Sequence, residues 1–168
     1  MLLEALETVT TMPDGPHYDD DFYAWTQHQA MVLRTMSVAD NRFDRENVAE
    51  EIEDLGRSQR DAVRSQIRRI IEHLLKLAYS RSPQPRFDWM ASIAEARDTL
   101  EDQITPTLRR DAEAMLAKLY EGGRNRAELG LRGYGETEAA GALPGECPFT
   151  IDEILSSGWY PEPPGEKS

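Results

Sequence analysis

The sequence predicts an all-α fold, an antiparallel helical bundle of four main helices with a long second helix and a short C-terminal helix. Two observations carry this. Apolar residues recur at three- and four-residue spacing over long segments, and no segment alternates apolar and polar residues as a strand would. Capping residues, prolines and glycines then mark where each helix starts and stops.

Residues 1–17 read as an N-terminal arm, because "MPDGPH" breaks any helix ahead of the domain. Helix one is expected from about Asp20 to Met36, with Asp19, Asp20 and Asp21 favourable at its positive end. Phe22, Trp25, Gln29, Val32, Leu33 and Met36 share one face. Asp44 is suited to cap helix two, and Phe43 and Val48 have the spacing of a hydrophobic staple. The pattern then runs to Tyr79, where "SRSPQP" stops it; Gly56 is the expected point of any bend. Helix three is expected over about Asp88 to Ile104, with Trp89, Ile93, Ala96, Leu100 and Ile104 inward. Thr105 caps helix four and Pro106 takes its first position, where the missing N–H is harmless. Its stripe is Leu108, Ala112, Met115, Leu116 and Leu119, weakened at Gly122 and Gly123 but resuming to about Leu129. The glycine-rich segment "LGLRGYGETEAAGALPGE" reads as a loop, and Thr150 with Glu153 has capping-box spacing for the short last helix. A single domain over 18–160 and an extended or disordered tail over 161–168 complete the expected organisation.

Composition excludes several chemistries. A net charge of −12 repels phosphate backbones and argues against general nucleic-acid binding, although Arg57, Arg60, Arg64 and Arg68 form one local basic face. The apolar runs are too short to span a bilayer, and the N-terminus lacks the basic and apolar regions of a signal peptide. With the single Cys147 there is no internal disulfide and no cysteine zinc cluster, so a reducing cytoplasm is the expected compartment. The glycines match no phosphate-binding or dinucleotide fingerprint, and no Glu-x-x-His or His-Glu-x-x-His motif occurs among His17, His28 and His73. Cys147 lies beside Pro148 with no evident histidine partner. No cofactor and no catalytic residue is expected.

The densest acidic stretch is "DRENVAEEIED", 44–54. On a wheel at about 100° per residue, with Val48, Ile52 and Leu55 taken as inward, Glu46, Glu50 and Glu53 point to water and Glu51 lies at the stripe's edge. The same stripe carries polar residues at heptad spacing, Gln59, Gln66 and His73, and Gln29 holds a similar position on helix one. Buried polar groups must be hydrogen-bonded. A polar ladder between helices one and two is therefore expected, with Asp21 and Glu51 as carboxylates at its end. The bland interpretation is a satisfied network that sets helix register. The functional one is a binding cluster of Asp21, Trp25, Gln29, Glu51, Gln66 and His73, in which His73, Glu51 and Asp21 are the weak metal candidates.

"DFYAWTQHQAMVLR", "DRENVAEEIEDLGRSQR" and "HLLKLAY" closely resemble the consensus blocks of the family called domain of unknown function 29. Trp89 with Ile93 and Arg97, then Tyr120, then "ECPFTIDEIL" extend the resemblance in order over about Tyr18 to Pro161. The positions that match are Tyr18, Asp21, Phe22, Tyr23, Trp25, Gln29, Asn47, Glu51, Gly56, His73, Lys76, Trp89, Arg97, Cys147 and Pro148. Leu77, often aromatic in the family, and the Gly122–Gly123 pair depart from it. The resemblance implies a bacterial, all-helical protein and no particular reaction.

These readings favour a non-enzymatic helical module that binds another protein or itself. The alternative is a small-molecule or metal site in the polar cluster between helices one and two. Self-association is offered by helix two: Glu46, Glu50 and Glu53 precede Arg57, Arg60, Arg64 and Arg68 on its outer face, so the face is self-complementary about a two-fold axis. Ion pairs alone would not hold such a homodimer, and Ile67 and Ile71 are the flank expected to add apolar contact.

Overall fold

The computed structural model describes residues 15–165. Seven helices and no strand occur among them: α1 (Phe22–Thr35), α2 (Arg45–Tyr79), α3 (Arg86–Gln103), α4 (Pro106–Ala114), α5 (Leu116–Gly133), α6 (Thr137–Gly141) and α7 (Ile151–Leu155). The chain forms two compact units, Met1–Gly56 and Arg57–Ser168, which subdivide the span expected to be one domain. α2 contributes to both and is helical without interruption through Gly56. The arm expected over residues 1–17 falls outside the described residues except at its end, as does 166–168 of the tail.

In the first unit Asp21 is the N-cap of α1, not part of its first turn; its carboxylate accepts from the Ala24 amide at 2.9 Å. Asp44 accepts from the Asn47 amide at 3.3 Å, the capping role expected of it. The chain reverses between the helices. Arg45 Nη1 donates to the Met36 carbonyl at 2.6 Å, Gln27 Nε2 donates to the Glu53 carbonyl at 3.4 Å, and Gly56 faces Thr26. The hairpin interior is therefore made of small residues: Thr26, Ala30, Ala49 and Gly56 are all buried. A Cβ at Gly56 would collide with the Thr26 hydroxyl and stand 2.8 Å from Gln27 Nε2, so glycine is required here for close approach and not for flexibility.

This corrects the wheel. The inward direction of α2's first turns is set by Ala49 and Gly56, about 100° from the direction marked by Val48 and Leu55, which are exposed. Glu53 is half-buried and paired with Arg34 of α1 at 2.5 Å, not directed only at solvent.

The second unit holds the large apolar core. Val63, Ile67, Ile70, Ile71, Leu74 and Leu77 of α2 are buried, as are Trp89, Ile93, Ala96 and Leu100 of α3. Leu108, Ala112, Leu119, Ala127 and Leu131 enclose them from α4 and α5, with Phe149, Ile151 and Ile154 from the last segment. Thr105 caps α4 and Pro106 opens it, and Thr150 with Glu153 forms the capping box of α7. The predicted helix four is split at Met115 instead of weakening at its glycines. Gly123 is where α5 touches α2: a Cβ there would stand 2.8 Å from Ile71 Cγ2 and 3.0 Å from the Arg68 carbonyl. The segment read as a loop contains the end of α5 and the short α6.

Ile67 and Ile71, expected to flank a dimer interface, lie in this core, and Arg64 makes a bidentate pair with Asp111 of α4 at 2.6 and 2.8 Å. Neither isoleucine is therefore available to supply the apolar contact expected beside those charges.

Candidate functional site

In the hairpin of the first unit, burying the small face leaves the large apolar residues outside. Val32 is 37% exposed, Met36 42%, Val48 36% and Leu55 57%. At about 100° per residue, the row Trp25, Gln29, Val32, Met36 lies a quarter-turn or so from the contact direction of α1. The row Val48, Glu51, Leu55 is displaced from the contact direction of α2 by a similar angle in the same rotational sense. Because the helices run antiparallel, equal displacements place both rows on one side of the hairpin. In the register set by Thr26 opposite Gly56 and Gln27 beside Glu53, Trp25 then lies across from Leu55, Gln29 from Glu51, and Val32 from Val48. At the α1 N-terminus the face continues into aromatics. Tyr18 packs edge-on against Phe22 and Trp25, with ring centroids 5.3 and 4.9 Å apart, and Phe22 stacks beside Trp25 at 6.0 Å.

The residues predicted as a polar cluster have distinct roles. Asp21 caps α1 and is buried. Trp25 and Gln29 are half-buried and Glu51 is exposed, all on the hairpin face just described. Gln66 and His73 belong to the second unit and are half-buried. The expectation that these two are hydrogen-bonded fails at their buried acceptors: Gln66 Oε1 and His73 Nδ1 have no partner among the described residues. Burial lowers the His73 pKa to about 4, against the pull of Glu72 and with the push of Lys76 and Arg69, so its imidazole is neutral at pH 7. Gln59 donates to the Gln103 carbonyl at 2.8 Å. No three His, Cys, Asp or Glu side chains are gathered as a metal site among the described residues.

Three polar groups of the second unit were given no role by the sequence, although Lys76 and Arg97 are among the positions that match the family. Lys76 is 6% exposed and pairs with Glu72 one turn earlier at 2.6 Å, and Gly130 of α5 leaves the room its ammonium occupies. The i,i+4 spacing of that pair was a usable signal. Arg97, on the Ile93 stripe of α3, is 5% exposed. Its guanidinium donates to the carbonyls of Glu153, Ile154 and Trp159 and lies over the Tyr160 ring at 5.3 Å. Burial lowers its pKa, and Tyr160 opposes this. The third group is Glu136. Burial works against its charge, but hydrogen bonds from the Ser80 hydroxyl, the Arg81 amide and Ser82 outweigh it and hold its pKa below the usual range.

Next to that clamp runs an open groove of about 830 Å³, with Tyr79, Pro83, Pro148, Phe149 and Pro164 among its walls. Cys147 adjoins it through Pro148; burial raises its thiol pKa, and Sγ donates to the Phe149 carbonyl at 3.3 Å. Burial also raises Tyr120 to about 12, and its hydroxyl holds the Pro144 carbonyl. These groups pin loops.

Comparison with known proteins agrees with the helical architecture. The family model described as "Domain of unknown function DUF29" matches residues 17–160. The chain belongs to the DUF29 family. A crystal structure of an alpha-helical protein of unknown function from Rhodospirillum rubrum is similar to this DUF29 chain, with a TM-score of 0.74 and 24% sequence identity over 87% of this chain and 93% of that one. At that identity the likeness shows the fold alone. No curated protein matches this DUF29 sequence. No helix among its described residues is long and apolar enough to cross a membrane.

Proposed function

We propose that this DUF29 protein is a non-enzymatic interaction module that docks a protein partner on the apolar side of its N-terminal hairpin. One observation carries the reading: the hairpin closes on Thr26, Ala30, Ala49 and Gly56 and leaves Val32, Met36, Val48 and Leu55 on one exposed side. Fully burying a side chain of that size from full exposure is worth about 1.5–3 kcal/mol, so covering the part still exposed here contributes roughly 0.5–1.5 kcal/mol for each, and a row of them adds to the driving force of an interface. The Tyr18–Phe22–Trp25 cluster adds the aromatic anchors in which interface energy concentrates. Partner helices laid on this side would complete an antiparallel bundle, the arrangement that the periodicity predicts.

The test is site-specific photo-cross-linking in the source cell. A cross-linker at Val32 or Leu55 should join the chain to discrete proteins, and one at Glu50, on the other side of α2, should not. Equal cross-linking at all three positions, or none at any, would sink the proposal.

A further inference from the structure

We infer that the docked segment is a basic amphipathic helix about three turns long. The inference rests on the docking reading above and adds the chemistry of the partner. The row from Trp25 to Met36 spans eleven residue steps, about 16 Å at 1.5 Å per residue, which sets the length of helix it can seat. Two adjacent antiparallel helices present a groove between their outer rows, and a third helix fills such a groove with apolar residues at i, i+3 or i+4, and i+7.

The charge of the partner follows from what stands in and around that groove. Glu51 is exposed within the apolar row, three residues after Val48 and four before Leu55, and Gln29 holds the matching place between Trp25 and Val32. Residues 22–56 hold seven carboxylates against three arginines. Each of those arginines is ion-paired inside the hairpin: Arg34 with Glu53, Arg42 with Asp40, and Arg45 with Glu46. Three of the seven carboxylates are taken up by those pairs and Glu50 lies on the other side of α2, so Glu51 is the carboxylate that the apolar row itself presents, the complement of a helix carrying leucine-like residues flanked by lysine or arginine.

A second copy fits less well. It would bring another Glu51 and another chain of net charge −12 to the same place. The chain's own first fourteen residues fit no better by charge, since Glu4, Glu7 and Asp14 are their charged side chains and they have no lysine or arginine.

The test uses the full chain and two synthetic helical peptides of one apolar pattern, one leucine–lysine and one leucine–glutamate, titrated while backbone and Trp indole resonances are followed. The leucine–lysine peptide should saturate, shifting Trp25, Val32, Val48 and Leu55. Its affinity should fall by about three- to tenfold in Glu51→Lys, and comparably in Leu55→Ser. The leucine–glutamate peptide should prefer the Glu51→Lys chain to the parent. Both substituted residues are exposed, and unchanged melting curves would confirm that the variants fold.

Equal binding of both peptides to the parent would overturn the basic partner and leave the docking side standing. Sedimentation showing a dimer that Leu55→Ser dissolves would do the same, with a second copy as the occupant. Leucine–lysine shifts spread over the acidic surface and indifferent to both variants would overturn the inference, as would no shift with either peptide. The cross-linking pattern judges the docking reading by itself.

Discussion

Gly56 faces the Thr26 hydroxyl so closely that no side chain fits between α2 and α1. A mid-helix glycine ordinarily gains about 1 kcal/mol on replacement by alanine. Here the sign reverses, because the new methyl overlaps the buried Thr26 hydroxyl and crowds its Cβ, a short side chain with little room to move aside. Gly56→Ala is expected to lower stability by about 1–3 kcal/mol. Gly133, at the end of α5, has nothing within 4 Å of its would-be Cβ, and Gly133→Ala should be neutral or slightly stabilising. Chemical denaturation of the two variants side by side tests the contrast, and equal effects would refute it.

Lys76 and Glu72 supply the second prediction. Their side chains are 8% and 17% exposed, so removing one partner leaves a charge with little water around it. Lys76→Met is expected to cost about 2–4 kcal/mol, while Lys76→Met combined with Glu72→Leu should recover a good part of the loss. A double variant as unstable as the sum of the singles would show that the pair contributes through its packing and not its charge.

Arg97 holds the end of α7 by donating to three carbonyls. Lysine has the charge but not the planar fork. Arg97→Lys should therefore destabilise by about 2–3 kcal/mol, and amide exchange should rise first over 151–160. Uniform exchange across the second unit would contradict this local role.

His73 makes stability depend on pH. Its folded pKa is about 4, below the ordinary value of 6.5, so the unfolded chain binds the proton more tightly. The stability conferred by the neutral imidazole is complete above about pH 6.5 and is lost as pH falls toward 4. After discounting for the water that reaches a half-buried ring, the loss is expected to be about 1–2 kcal/mol. His73→Gln does not titrate, so the parent's stability relative to this variant should fall between pH 7 and pH 4. A pH-independent difference would exclude the buried neutral histidine.

The outline of the fold was legible because its signals are local. Asp44, Thr105 with Pro106, and the Thr150–Glu153 box each place a helix start within a few residues, and all three act as expected. The stripes of α3 and α4 were equally legible, since Trp89, Ile93, Leu100 and Leu108 are large, evenly spaced and buried. In α2 the same method erred at one end only. From Ile67 to Leu77 the buried face is aliphatic and dominates the wheel, whereas near Ala49 and Gly56 it is small and the larger Val48 and Leu55 outweigh it. Hydrophobicity marks a face that prefers to leave water; it does not say whether the partner belongs to the same chain.

The sequence by itself therefore determined the main helical segments, most of their starts, the apolar core of the second unit and membership of a family without an assigned reaction, but not α6 or the break at Met115. Local hydrogen bonding and side-chain periodicity suffice for these. Only the tertiary structure decided that the first turns of α2 meet α1 through the small face at Ala49 and Gly56. It showed that Gly56 and Gly123 are points of close approach, and that Arg97 and the Lys76–Glu72 pair are buried. It also left Trp25, Glu51 and Leu55 on an open side of the hairpin. Such outcomes depend on which surfaces meet across long separations in the chain, and a single helix's pattern carries no record of what lies opposite it.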